Sequence, residues 1–365
     1  MQPKSAPTST DLFLGLDPDT VLGALDAAGL RCNSVCWPLN SYENRVMEVE
    51  LADAARTRLV AKFYRPQRWT KEQILEEHQF LAELHAEEVP VVPALPFADG
   101  ETLRQVSVAG GAQVVWFCVF ARFGGRAPEE VDDAMARRLG ALCARIHTVG
   151  ARRPFATRPR LDGSSYGGQA LQILEKKLCI PIKLRQRFFD IAEALMDQTD
   201  MWLRGVATQR IHGDFHPGNL VLRDNLLHAL DFDDARIGPP VQDLWMLLPS
   251  RDADSVRRRE LFLEGYEQFR PFDRRSLRLI EPLRGLRLVH FCGWLAARWH
   301  DPIFAQTWPQ FTSEDFWQHT VQGLDQALDE ATVEPLSAVA AAPEPTGELT
   351  NADYFWDWDK GTNKI

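Results

Sequence analysis

The chain has 365 residues, 45% hydrophobic and 25% charged, a composition that suits a globular protein long enough for two lobes or domains. Its 41 basic and 51 acidic residues give a formal charge of −10, which argues against a nucleic-acid partner. The basic run Arg257-Arg258-Arg259 is followed by Glu260 and Glu264 and reads as a solvated helix face. No apolar run approaches the roughly 18 residues of a membrane span, and the start lacks a signal-peptide pattern. The expectation is a cytoplasmic monomer with no membrane partner. The six cysteines are scattered, mostly in apolar contexts, and read as free thiols. Cys32 and Cys36 lack the second pair of ligands that zinc needs.

Residues 1–11 are polar and read as a flexible leader. Asp17-Pro18-Asp19 then opens an amphipathic helix, with Val21, Leu22, Leu25 and Ala28 at helical spacing and Gly29 as its stop. Residues 45–51 alternate, with Met47, Val49 and Leu51 on one face and Val46, Glu48 and Glu50 on the other, which predicts a half-exposed strand. A second strand over 58–64 embeds Lys62 among apolar neighbours. A helix over 70–84 begins after a threonine cap and carries Glu76 and Glu77. Glu77 lies four and seven residues before Leu81 and Leu84 and shares their inward face. Residues 102–108 and 113–120 pair as a hairpin through Gly110-Gly111, and Phe123-Gly124-Gly125 marks an interlobe hinge.

Beyond that hinge every element except one hairpin reads as helical: 132–147, 168–177, 182–203, 240–248, 257–269, 276–298 and 313–328. Strands first and helices later predict an α+β, bilobal fold. Its N-lobe, 12–122, would be an antiparallel sheet with a helix. Its C-lobe, 123–330, would be mainly helical. Residues 331–365 read as a flexible tail ending in the acidic aromatic stretch Tyr354-Phe355-Trp356-Asp357-Trp358-Asp359.

The chemistry concentrates in His212-Gly213-Asp214-Phe215-His216-Pro217-Gly218-Asn219 and in Asp231 of Leu-Asp-Phe-Asp-Asp. An isolated His-Gly-Asp is turn chemistry. The joint spacing is that of a kinase catalytic loop, in which the Asp accepts the proton of a substrate hydroxyl and the Asn holds Mg²⁺. Asp231 supplies a second metal ligand. A transferring phosphoryl group carries heavy negative charge, which Mg²⁺ neutralises and carboxylate and amide oxygens hold in place. Segments 220–222 and 228–230 read as a hairpin that carries Asn219 and Asp231 side by side. His212 and His216 are read as structural, because Mg²⁺ prefers oxygen. A strand Lys62 followed by a helix Glu77 is the ion pair that positions ATP phosphates in kinases.

These motifs resemble those of the aminoglycoside phosphotransferase and choline kinase superfamily of protein kinase-like enzymes. Leu39-Asn40-Ser41-Tyr42-Glu43-Asn44-Arg45, Ala61-Lys62-Phe63-Tyr64-Arg65-Pro66, Gln242-Asp243-Leu244-Trp245 and Ile280-Glu281-Pro282-Leu283-Arg284 are similar to the stress response kinase A type within it, over about residues 14–325. The resemblance implies an ATP- and Mg²⁺-dependent Ser/Thr protein kinase that phosphorylates proteins and itself in cell-stress and death-counteracting pathways. It places the catalytic Asp at Asp214, the metal ligands at Asn219 and Asp231, and an ATP contact at Ser41. Phe215 and Pro217 depart from that pattern and are common in small-molecule kinases. The alternative is therefore a kinase of an aminoglycoside, choline or homoserine-like hydroxyl.

Two positions have a physical reading beside the resemblance. Loop 39–45 lacks the G-x-G-x-x-G that lets a backbone approach phosphates, so the Ser41 hydroxyl and neighbouring N–H groups would make that contact, unless Ser41 only caps a turn. Asp243 is either a first-turn acid favoured by the helix dipole or, by analogy, the group that bonds the catalytic loop backbone. Trp294, Trp299, Trp308 and Trp317 are read as core or as the lining of a substrate site.

Overall fold

The structure, a computed structural model, describes residues 15–108, 113–128 and 130–332. The leader 1–11, the Gly110-Gly111 turn and the tail from 333 on lie outside the described residues. The chain divides into two compact units: one runs up to Gly124 and includes His300–Phe304, the other takes Gly125–Trp299 and the chain from Ala305 on.

In the first unit, helix α1 (Pro18–Ala27) starts where the Asp17 side chain accepts the Thr20 N–H, with proline in the first turn. A five-stranded antiparallel sheet follows: β1 (Cys32–Leu39), β2 (Arg45–Leu51), β3 (Arg58–Phe63), β4 (Arg104–Val108) and β5 (Gln113–Ala121), in the order β1-β2-β3-β5-β4. Strand β1 carries Pro38 and the exposed Trp37, as an edge strand tolerates. Its apolar residues do not alternate, so no strand was expected there. One core gathers Val21 and Leu25 of α1 with Val49, Ala61, Phe63, Val115 and Phe117 of the sheet. The rings of Phe63 and Phe117 stack with centroids 5.1 Å apart, and burying each contributes about 1.5–3 kcal/mol.

The opposite sheet face meets α2 (Lys71–Ala86), whose start is a reciprocal cap between Thr70 and Gln73. The expectation that β2 is half exposed fails. Glu48 and Glu50 are 8% and 5% exposed, because Arg58 bonds both carboxylates and Arg122 and Asn33 bond one each. Polar and charged partners on and beside the neighbouring strands cover the face that alternation assigns to water.

The second unit contains α3 (Asp133–Gly150), a π-helical turn over Gly163–Gly168, α4 (Gln169–Lys177), α5 (Ile182–Leu203), α6 (Val241–Leu247), α7 (Ala253–Glu267), α8 (Ile280–Arg298) and α9 (Glu314–Thr332). The hairpin expected after Asn219 is β7 (Leu220–Arg223) and β8 (Leu226–Ala229). Its turn residues Asp224 and Asn225 both have positive φ, the geometry of a tight two-residue hairpin. The helical expectation needs two corrections. Residues 276–279 belong to a 3₁₀ turn (Arg274–Leu279), so α8 starts only at Ile280. A second pair, β6 (Gln209–Ile211) with β9 (Arg236–Gly238), is too short for periodicity to reveal. This pair matters most for the site, because Ile211 opposite Arg236 clamps both ends of the excursion 212–235 that carries the motif.

Helices α3 and α7 approach backbone to backbone. A Cβ on Gly140 would overlap the Phe262 carbonyl oxygen, and one on Gly265 would overlap that of Arg137. No helix among the described residues is long and apolar enough to cross a membrane.

Candidate active site

In the first unit, β3 turns Ala61 and Phe63 into the core and so sends Lys62 to the opposite face, where α2 presents Glu77. Lys62 Nζ lies 3.2 Å from Glu77 Oε1, with both side chains buried. The Tyr64 hydroxyl reaches Glu77 Oε2 at 3.5 Å and His78 Nε2 at 3.0 Å, and His78 Nδ1 meets Thr102 Oγ1 at 2.7 Å. Glu77 therefore stands in a braced polar row. Loop 40–44 is pinned by side chains: Arg65 donates to the carbonyls of Glu43 and Tyr42 at 3.0 Å each, and Asn44 Oδ1 accepts the Arg65 N–H. Ser41 Oγ accepts the Asn44 N–H at 3.3 Å, the turn-capping contact.

In the second unit, Asp243 at the start of α6 organises the loop 212–219. Its Oδ2 accepts the His212 N–H and its Oδ1 the Gly213 N–H, both at 2.9 Å. Gly213 has φ +83°, and a side chain there would strike the Asp234 carbonyl. His212 Nε2 donates to the Leu230 carbonyl at 2.8 Å while its ring stacks on Phe215. His216 Nδ1 accepts the Gly218 N–H at 3.0 Å, which leaves Nε2 facing Asp214 Oδ2 at 3.5 Å. Both histidines hold the loop.

Asn219 donates its amide N–H to the Asp214 carbonyl at 2.9 Å, leaving Oδ1 as the oxygen a cation would take. Its backbone carbonyl accepts the Leu230 N–H, which ties it to the residue preceding Asp231. Asp231 adopts φ 55° and ψ 72°, a left-handed conformation that costs a non-glycine residue energy and recurs at functional sites. An amide oxygen oriented by its own N–H bond and a strained carboxylate form a hard-oxygen donor set that fits Mg²⁺.

Asp214 is set against Arg287 of α8, with Nη2 2.6 Å from Oδ1. Burial alone would raise the carboxyl pKa, but Arg287 and then His216 overcome it and hold the group well below the usual carboxylate range. Asp214 is anionic and a weak ground-state base. It suits phosphoryl transfer, where the hydroxyl proton leaves as the new P–O bond develops. Spacing gave no sign of Arg287, one of several arginines on its helix, or of Tyr166, whose hydroxyl accepts from Arg287 Nη1 at 3.3 Å.

Behind the loop, Cys143, His147 and Asp243 are close enough together to hold a metal ion. Hydrogen bonding accounts for them instead. His147 Nε2 donates to Asp243 Oδ2 at 3.0 Å, so its Nδ1 accepts the Tyr266 hydroxyl at 3.0 Å. Of the sequence-derived residues, Ser41, Lys62 and Glu77 belong to the first unit and Asp214, Asn219 and Asp231 to the second. Trp317 is fully buried in the core, while Trp294 and Trp308 meet edge to face at 5.3 Å and are only partly buried.

A five-stranded antiparallel sheet with a Lys–Glu pair and a helical unit carrying such a loop define a phosphotransferase of the kinase kind. A model of the phosphotransferase enzyme family matches residues 37–280. The chain is 41% identical over 307 residues to serine/threonine protein kinase RdoA of Salmonella typhimurium, covering 84% of this chain and 90% of that protein. It is 40% identical over 317 residues to stress response kinase A of Escherichia coli K12, covering 86% and 94%. Among solved structures it is similar to amicoumacin kinase hAmiN in complex with AMP-PNP, Ca²⁺ and Ami, with TM-score 0.70, 20% identity and coverage of 90% and 98%. The chain belongs to the phosphotransferase enzyme family and, within it, to the stress response kinase A proteins. ATP binding follows from the kinase fold.

Proposed function

We propose that the protein is a cytoplasmic Ser/Thr protein kinase that transfers the γ-phosphoryl group of Mg²⁺-ATP to hydroxyls of proteins, itself included, in cell-stress regulation. The observation that carries this reading is 41% identity to a serine/threonine protein kinase across 84% of the chain. The likeness to amicoumacin kinase hAmiN, at 20% identity, extends to the fold alone.

In this mechanism Lys62, oriented by Glu77, meets the nucleotide phosphates, and Ser41 and the N–H groups of its loop contact them. Asn219 Oδ1 and the Asp231 carboxylate would hold Mg²⁺, which when bound supplies charge neutralisation to the transferring group. Asp214 accepts a hydrogen bond from the acceptor hydroxyl, aligns its oxygen, and takes the proton as transfer proceeds. Arg287 keeps that carboxylate ionised in its partly buried position.

The test is purified protein with labelled ATP and Mg²⁺, offered protein substrates beside a panel of aminoglycosides and choline. Phosphoserine or phosphothreonine should form and should disappear in Lys62→Ala. Asp214→Asn should lose at least about 10²-fold in transfer while still binding nucleotide. Saturable phosphorylation of a small hydroxyl compound without protein labelling would overturn the proposal.

A further inference from the structure

The corner between α4 and α5 is basic in an acidic chain. Residues 169–187 hold five basic side chains and a single acid, Glu175, against a net charge of −10 overall. Two of the five are engaged: Arg187 pairs with Asp325, and Arg185 donates to the Ile180 carbonyl at 3.3 Å. The ammonium groups of Lys176, Lys177 and Lys183 are exposed and form no ion pair or hydrogen bond among the described residues. Between these lysines stand two large apolar side chains, Leu178 at 64% exposure and Ile182 at 76%. Ile182 is the most exposed large apolar side chain among the described residues. Leu178 also ends α4 at φ 51°, in the left-handed region where a helix end favours glycine or asparagine. A leucine there is strained and uncovered at once, a local choice that the fold by itself does not explain.

The complement of this corner lies in the same chain. Segment 353–359 carries four aromatic residues and three aspartates with no base among them. Rings of this kind would cover Leu178 and Ile182 while the carboxylates meet the lysines. Helices α4 and α5 belong to the same compact unit as the chain from Ala305 on. Helix α9, which ends at Thr332, runs alongside α5 in the same direction. Trp317 meets Phe188 edge to face at 5.8 Å, and a Cβ on Gly285 would lie against both Leu195 and Ala327. Counted in helical rises, Thr332 therefore stands about 27 Å along α5 from Ile182. Twenty residues, 333–352, join Thr332 to Asp353. A flexible spacer of that length covers about 22–27 Å root mean square. Span and spacer match, the condition under which a tethered ligand has its highest effective concentration.

We propose that the α4–α5 corner is the dock of the chain's own segment 353–359, with the Trp356 and Trp358 rings on Leu178 and Ile182 and the Asp357 and Asp359 carboxylates against Lys177 and Lys183. The contact is intramolecular and does not depend on which hydroxyl the active site phosphorylates.

The experiment is a zero-length carbodiimide cross-link of the full chain, made on an equal mixture of ¹⁴N and ¹⁵N protein and mapped by mass spectrometry, beside hydrogen exchange over 176–183. Cross-links should join Lys176, Lys177 or Lys183 to aspartates of 353–359, with both halves carrying the same isotope. Exchange over 176–183 should be about tenfold slower in the wild type than in the double variant Trp356→Ser and Trp358→Ser. The pair Lys177→Glu and Lys183→Glu should lose that protection, and adding Asp357→Lys and Asp359→Lys should restore it, which general damage to the corner would not allow. Cross-links of mixed isotope alone would overturn the proposal in favour of a second copy of the chain. Equal exchange in the wild type and the tryptophan variant, or cross-links that run only to other lysines, would overturn it outright. Binding to phosphatidylserine vesicles that needs Lys177 and Lys183, with no cross-link to 353–359, would assign the corner to an anionic membrane surface instead.

Discussion

His147 Nε2 lies 3.0 Å from Asp243 Oδ2, and neither side chain is exposed to solvent. With the backbone N–H groups of His212 and Gly213, three donors converge on one carboxylate. An asparagine offers a single acceptor oxygen and presents an NH₂ group where a donor already points. Asp243→Asn should therefore cost about 2–4 kcal/mol in urea unfolding and lower kcat by at least about 10²-fold, through the loop it anchors. Unchanged stability with full activity would show that the loop holds itself.

Asp231→Asn keeps a residue type that tolerates the left-handed backbone and removes the charge. Together with Asn219→Ala, it should weaken Mg²⁺-dependent binding of an ATP analogue more than metal-free binding if, as proposed, both positions supply oxygen to the cation. Titrations with and without Mg²⁺ measure the difference. Equal losses in both would assign the two residues a purely structural role.

The close approach of α3 and α7 makes Gly140 and Gly265 the least replaceable positions of that pair. Gly140→Ala inserts a methyl group against the Phe262 carbonyl, where a backbone has to move. A cost of about 1–3 kcal/mol is expected in chemical denaturation. Gly23→Ala, in α1 with nothing within 4 Å of the added carbon, should be neutral or stabilising.

Stability should decline as pH falls from about 6.5 to 5. Burial lowers the His147 pKa despite Asp243, and burial with nearby arginines lowers that of His290 to about 3. Both folded values lie below the ordinary histidine value, so the unfolded chain takes up protons first as pH drops. The stabilisation is complete above about 6.5 and is lost toward the folded values. For His290 the loss amounts to about 1–2 kcal/mol by pH 5. Urea midpoints at pH 7 and pH 5 check it, and His290→Phe, which keeps a ring against Tyr166, should flatten the slope.

The parts of the candidate site legible in the sequence are those built from local spacing. Asp214 and Asn219 sit in one loop, Asp231 follows one hairpin later, and Lys62 and Glu77 occupy a consecutive strand and helix. What escaped depends on distant pairing. Arg287 is 73 positions from the carboxylate it meets, and His147 is 96 from Asp243. The β6–β9 ladder offers three residues a side, too few for any period to register. Glu48 and Glu50 look solvent-facing by alternation because nothing in β2 announces the arginines that cover them.

The support of the catalytic loop has an order in time as well as in space. Residues 212–231 spell the whole motif, yet Asp243 leaves the ribosome later, and Tyr266, which fixes the His147 ring from 119 positions away, later still. A growing chain thus carries every reactive group before it can hold them in place. Competence waits for α8, which brings Arg287 to Asp214, so a product truncated between Asp231 and Arg287 would keep the signature of a kinase and none of its work.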